Sequence, residues 1–311
     1  MEERNYTLRP IPYTLLVIVG ETASGKSALA MECARRYNGE LICADSLTVY
    51  KGFDIGTAKP SQAERVDIPH HLLDVTTADK GFAAPEFKRQ AEVAIEAICE
   101  RGKLPIVVGG SGLYIDSLLY NYAFLEKSDP DLRSKLNAMN LPEVIALAQE
   151  KNLDLDGIDI RNKRRVIRHI ENDGKVPARS PLRQDTIVVG LSVSRGTLEA
   201  RIEQRVDAML AAGLEKEAKM LANDYGWENE PMKSIGYREW KDYFDGADKI
   251  EKTRERIVAG TKRLAKKQRT WFGRNPDIRW VQGVEEVYGL VDSLRIPKSS
   301  SSQKTSKKHK P

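Results

Sequence analysis

The sequence predicts an α/β fold of the P-loop three-layer kind: a mostly parallel sheet with helices on both faces, plus a helical insertion domain. Three observations predict it. Short apolar, β-branched runs alternate with helical stretches, the pattern of strands joined by crossover helices. The segment 20–27, GETASGKS, fits G-x-x-x-x-G-K-[ST] between a strand and a helix. The alternation then stops over residues 129–172, which are polar, helix-prone and without a convincing strand.

The elements follow in order. Residues 14–19 (TLLVIV) form a short apolar run bounded by glycine, hence a buried strand. Residues 26–37 have helical spacing, with Leu29, Cys33 and Tyr37 on one face. A second strand, 40–44 (ELICA), delivers Asp45 at its end, and 85–101 reads as an amphipathic helix. The third strand, 105–108 (PIVV), runs straight into GGSGLY. Residues 129–172 are expected to be helices inserted between sheet elements. A fourth strand covers 186–193, long helices cover 197–223 and 251–272, and 277–281 returns to the sheet. The expected organisation is a catalytic core over 1–124, the insertion over 125–183, the rest of the core over 184–290 and a disordered Lys/Ser-rich tail over 291–311.

The chain of 311 residues, 41% hydrophobic and 31% charged, suits a soluble globular protein with a sizeable core. No apolar run reaches membrane-spanning length, and 15–19 is too short for a signal sequence. Cys33, Cys43 and Cys99 show neither a disulfide framework nor a metal spacing, so a reducing cytoplasm is the simplest compartment. The net charge of +5 is matched by five lysines in the tail (Lys298, Lys304, Lys307, Lys308 and Lys310). The folded body is therefore near neutral, and any nucleic-acid argument must rest on local clusters.

The loop at 20–27 is expected to grip a diphosphate. Gly20 and Gly25 let the chain curl so that N–H groups from Thr22, Ala23 and Ser24 onward point inward, at a helix N-terminus that favours anions. Lys26 adds a point charge, and Ser27 a hydroxyl able to ligate Mg²⁺. Phosphoryl transfer would need a further acidic site, yet the third strand ends in Gly109–Gly110–Ser111–Gly112 and offers no such acid. His70 and His71 lack a third ligand at suitable spacing and are expected either to be structural or to support a neighbouring site residue. Asp45 stands where open α/β sheets bind ligands, although an Asp there equally suits a helix cap or turn.

Around the loop, DSLTVY (45–50), DIGTAKP (54–60), PHHLLD (69–74), GGSGLY (109–114), NKRRVIRHI (162–170), IGYRE (235–239) and LAKKQRTWF (264–272) occur in this order. Together with the P-loop they resemble the tRNA isopentenyltransferase family, the tRNA dimethylallyltransferases, over roughly residues 14–282. The resemblance implies transfer of a dimethylallyl group from dimethylallyl diphosphate to N6 of adenosine 37, beside the tRNA anticodon. Diphosphate is then the leaving group, with Mg²⁺ as cofactor and the anticodon stem-loop as partner. It implies catalytic roles for Lys26, Asp45 (contact to N6 and general base) and Ser111, and RNA contacts by Asp45, Ser46, Leu47, Thr48, Ser111, Arg133, Arg164, Arg165, Arg168, Arg238 and Gln268. A monomer is expected. Three positions depart from the family pattern: Glu21 for Pro, Thr48 for Gln and Ser111 for Thr.

Two basic stripes support RNA binding. Residues 161–168 hold five basic side chains and no acid, and 251–274 hold nine against Glu251 and Glu255. Such an imbalance is expected to face phosphates. Trp271 shares helical spacing with Leu264 and is expected in the core. Three other activities fit part of the pattern: a P-loop small-molecule kinase, an isopentenyltransferase acting on free adenine nucleotides, and a non-catalytic tRNA-binding protein.

Overall fold

A computed structural model describes residues 14–125 and 129–295. Up to Leu118 and from Gln184 the described residues form one compact unit, and Leu119–Arg183 form a second. The first unit holds six strands: β1 (Leu15–Val19), β2 (Gly39–Ala44), β3 (His70–His71), β4 (Leu104–Gly109), β5 (Thr186–Leu191) and β6 (Arg279–Val281). They lie in the order β3-β2-β4-β1-β5-β6, and every pairing is parallel. All five residues of β1 are buried, as a central parallel strand covered on both faces requires. The register Val19↔Gly109 and Ala44↔Gly109 brings the ends of β1, β2 and β4 level. The loops that follow them therefore open at one edge of the sheet.

The helices of this unit are α1 (Lys26–Tyr37), α2 (Gln62–Asp67), α3 (Ala84–Glu100) and α4 (Gly112–Leu119), whose last residue enters the second unit. The second unit contributes α5 (Pro130–Ala138), α6 (Leu141–Glu150) and α7 (Lys163–Glu171). The first then resumes with α8 (Arg195–Ala211), α9 (Leu214–Tyr225), α10 (Lys241–Phe244), α11 (Ile250–Phe272) and α12 (Val284–Arg295). The single long helix expected over 197–223 is two. Gly213 breaks it at φ 100, a backbone conformation that glycine adopts without strain. The expected tail also starts too early. Val287, Tyr288 and Val291 repeat at helical spacing and are buried, with Tyr288 edge-on to Tyr37 of α1 at 5.7 Å. That apolar face keeps 291–295 helical, and the lysines of the tail lie outside the described residues.

The second unit contains the expected insertion. It builds its own core from Leu136, Val144, Ala148, Val166, Ile167 and Ile170. Asn140 and Glu143 form a reciprocal capping box at the start of α6.

Two buried carboxylates organise the first unit. Glu217 of α9 accepts the N–H groups of Asp54, Ile55 and Gly56 and the Tyr237 hydroxyl at 2.8–3.1 Å. One side chain thereby joins the DIGTAKP and IGYRE segments. Glu40 of β2 is bound by Arg101 (2.6 Å), His71 (2.7 Å) and Lys103 (2.9 Å), so His71 is structural, as expected. His70 contacts the Ile68 carbonyl at 2.7 Å, and burial lowers its proton affinity. No helix among the described residues is long and apolar enough to cross a membrane.

Burial alone would raise the proton affinity of Glu40, but its bonds from Arg101, His71 and Lys103 outweigh burial and hold the carboxyl at about 2 instead of 4.5. A depressed carboxyl stabilises the fold above its unfolded value and loses that effect as pH falls through the folded value. We expect Glu40→Gln to lower stability by up to about 3 kcal/mol at neutral pH. In urea titrations the gap to the unsubstituted chain should shrink as pH falls from about 4.5 toward about 2. A pH-independent gap would contradict this account.

Candidate active site

The loop 20–27 leaves β1 and turns into α1 through Ala23 (φ 62) and Gly25 (φ 100). The first bond of the helix is Leu29 N–H to Gly25 O. The N–H groups of Lys26, Ser27 and Ala28 are therefore the orphan donors of the helix start. Two other loop amides are engaged. Ser24 N–H donates to Glu21 O at 3.2 Å, and Thr22 N–H donates to Gln268 Oε1 at 2.8 Å. This corrects the expectation that the Thr22 amide faces a diphosphate, because the Gln268 amide from α11 reaches it first. The Ser24 hydroxyl is buried with no hydrogen-bond partner among the described residues.

Lys26 is the electrostatic centre of the loop. Its ammonium donates to Glu21 O at 3.2 Å. Burial lowers it most; Asp45 pulls the value back up, Arg205 lowers it and Glu21 raises it, leaving about 8 instead of 10.5. Two arginines of α8 join it. Arg201 donates to Ser24 O at 2.9 Å and Arg205 to the Thr22 hydroxyl at 3.1 Å. Burial also lowers the proton affinity of Arg205, with Asp45 acting against it. These arginines, Lys26 and Ser27 border a cavity of about 210 Å³ over the loop. Sequence reasoning missed Arg201 and Arg205. The only signal was their i, i+4 spacing on one helix, which does not say what that face meets.

Asp45 follows β2. Its Oδ1 accepts Leu47 N–H at 2.9 Å, so it does make the turn that its type and position allowed. It also borders both a cavity of about 240 Å³ beside Lys26 and a larger cleft of about 580 Å³. Ser111 lies opposite, after β4. Its hydroxyl oxygen accepts Ser46 N–H at 3.0 Å, which leaves the hydroxyl proton available to donate. Ser46, Leu47, Ser111, Arg238 and Gln268 all border the large cleft, whereas Thr48 borders only the smaller cavity. The cleft wall is largely apolar, with Val206, Met209, Ile257 and Leu264 among its residues. Trp271 borders it too. The indole is 37% exposed, lies over Gly112 and donates to Asp116 at 3.0 Å. The core position expected for it is thus replaced by one at the rim of the cleft, where the side chain of Asp116 holds its polar edge.

The basic stripe over 251–274 is largely neutralised. Lys252 pairs with Glu255, Arg254 with Asp207, Arg256 with Asp242 and Asp248, Lys262 with Glu203, and Arg269 with Glu21. Most of the acids come from other elements, so the one-dimensional imbalance overstated the free charge. Arg263, Lys266, Lys267 and Arg274 make no ion pair among the described residues. In the second unit, Arg133 and Arg168 both reach Glu171, at 2.6 and 3.5 Å, and Arg164 and Arg165 are exposed. No group of three or more His, Cys, Asp or Glu among the described residues could hold a metal ion.

Residues 48–275 match the family model described as IPP transferase. A tRNA dimethylallyltransferase of Staphylococcus epidermidis is 38% identical over 95% of both chains, and one of Macrococcus caseolyticus is 36% identical over 93% of this chain and 98% of the other. The chain belongs to the IPP transferase family, that of the tRNA dimethylallyltransferases. Solved structures agree. The full-length tRNA isopentenylpyrophosphate transferase of Bacillus halodurans superposes with a TM-score of 0.71 at 32% identity, over 90% of this chain and 96% of that one. A eukaryotic dimethylallyltransferase described as acting on tRNA gives 0.71 at 27% identity, over 88% and 75%. In this IPP transferase, the three departures from the family pattern have visible surroundings. Ser111 keeps the hydroxyl that holds Ser46, Thr48 turns to the smaller cavity, and Glu21 is met by Arg269.

Binding of inorganic diphosphate, measured by calorimetry, should weaken as pH rises through about 8, where Lys26 loses its charge. The expected slope is up to about ten-fold per unit. Lys26→Arg stays protonated throughout and should remove that limb. Persistence of the limb in the variant would assign the titration to another group.

Proposed function

We propose that this prenyltransferase moves the dimethylallyl group of dimethylallyl diphosphate to N6 of adenosine 37, beside the anticodon of a tRNA, releasing diphosphate. One observation carries the reading. The P-loop, with its desolvated lysine, adjoins a mostly apolar cleft bordered by Asp45 and Ser111. A phosphoryl-transfer site would instead need a further acidic group for the metal.

The chemistry follows from these groups. The donor's C1–O bond breaks and its electron pair leaves with the diphosphate. Lys26, Arg205 and the orphan N–H groups at the start of α1 stabilise that charge, an effect worth on the order of 10²–10³ in rate per preorganised donor. The lone pair of N6 forms the new bond to C1, and the N6 proton passes to the Asp45 carboxylate. Asp45 is held for this by the Leu47 amide, and general-base help of this kind contributes about 10²–10⁴. The Ser111 hydroxyl, fixed by Ser46, donates toward the adenine. The apolar wall excludes water that would otherwise capture the prenyl carbon.

The residues fit Mg²⁺ as well. Mg²⁺ keeps most of its waters and takes few protein ligands beside substrate phosphates. The exposed Ser27 hydroxyl at the start of α1 would hold it, and when bound it supplies additional charge neutralisation on the diphosphate. Toward the anticodon stem-loop, each unit offers cations to phosphates: in the second, exposed Arg164 and Arg165, with Arg133 and Arg168 held by Glu171 as a support; in the first, Lys267 and Arg238, the latter paired with Glu239 at 2.9 Å, at the border of the cleft. A monomer is part of the same proposal. Three buried cysteines, none of them in a disulfide, suit a reducing cytoplasm.

The test is incubation with labelled dimethylallyl diphosphate and either unmodified tRNA or AMP. Label should enter tRNA. Label in AMP alone, or in neither, would reject the proposal. Asp45→Asn should lose about 10²–10⁴ in rate, and Lys26→Ala should still bind tRNA while turning over at least about 10²-fold more slowly.

A further inference from the structure

Glu21 has no part in the mechanism above, yet it sits inside the diphosphate loop and is 6% exposed. A carboxylate there repels the leaving group unless its charge is cancelled. The side chain that meets it is Arg269 of α11. Arg269 Nη2 donates to Glu21 Oε2 at 2.9 Å, and its Nε lies 2.9 Å from Oε1 as an ion pair without hydrogen-bond alignment. The preceding residue, Gln268, binds the next loop position: its Oε1 accepts Thr22 N–H at 2.8 Å, while its Nε2 donates to Gly110 O at 3.0 Å. Consecutive residues of α11 thus hold consecutive residues of the loop. The Glu21 carbonyl in turn receives the Lys26 ammonium at 3.2 Å.

We propose that Arg269 is a positioning residue for the donor site. It cancels the charge of Glu21 and, with Gln268, holds the loop in the shape that accepts a diphosphate. Glu21 and Arg269 then act as a pair. Losing the arginine alone leaves an uncompensated carboxylate next to the anion site, whereas losing both charges removes the repulsion. The inference rests on the prenyl-transfer reading above and goes beyond it by assigning the one loop residue that reading leaves unused.

The experiment is a double-mutant cycle over Glu21→Gln and Arg269→Met, measuring KM for dimethylallyl diphosphate, KM for tRNA and kcat. Arg269→Met should raise the donor KM about ten-fold or more, with tRNA KM nearly unchanged. Adding Glu21→Gln should return the donor KM to within about three-fold of the unsubstituted chain, a coupling typical of charges in direct contact. If Arg269→Met does not fold, Arg269→Lys takes its place; it keeps the charge and loses the fork, and should show a smaller rise that Glu21→Gln relieves. A double variant no better than the arginine variant would overturn the pairing. So would a tRNA KM that rises with the donor KM. Transfer by the unsubstituted chain is measured alongside, so failure of the pairing is distinct from failure of the prenyl-transfer reading.

Discussion

Lys26 carries an ammonium into a place where water solvates it poorly, and its surroundings keep it charged there near neutral pH. Burial acts against the charge. The Glu21 carbonyl and the nearby carboxylates of Asp45 and Glu21 act for it, and the balance lies at about 8. A lysine so placed gains strength as an electrostatic catalyst, because a charge in a low-dielectric site interacts more strongly with the anion it meets. It is also fragile, since a small displacement of any partner would change the balance. Much of the local architecture serves to prevent such displacement.

That architecture is mostly long-range. The loop is fastened from α8 by Arg201 and Arg205 and from α11 by Gln268 and Arg269. The far side of the cleft is set by Glu217, a single carboxylate that gathers three amides and a tyrosine hydroxyl. Lys59, almost wholly buried, bridges Asp54 and Asp74 at 2.7 Å each and ties the same loop to the segment after β3. The parallel sheet provides the level edge, and these polar contacts hold the loops along it.

This division explains what was legible in the sequence. The strands and most helices were visible because their signals are local: apolar runs, helical spacing and glycine boundaries. The P-loop was visible because its backbone geometry demands a particular short string. Asp45 and Ser111 could be placed at strand ends before their surroundings were known. The split at Gly213 was hidden because one glycine in a helical pattern is usually tolerated. Arg205, Glu217 and the role of Gln268 were hidden because their partners lie more than 150 residues away in the chain. The stripe over 251–274 misled for the same reason. Its counter-ions are contributed by Glu21, α8 and the segment around α10, none of which a count along one helix includes. Trp271 misled because helical spacing identifies a face without identifying what covers it.

The central claim is that the loop at 20–27 holds a leaving group on a prenyl donor. The most direct measurement is the stoichiometry of inorganic diphosphate released against prenyl groups gained by tRNA, with ATP substituted for the donor in a parallel reaction. One diphosphate per modified adenosine, and no phosphate or diphosphate released from ATP, is the predicted result. RNA-dependent cleavage of ATP, or diphosphate release without modification of the RNA, would contradict the account.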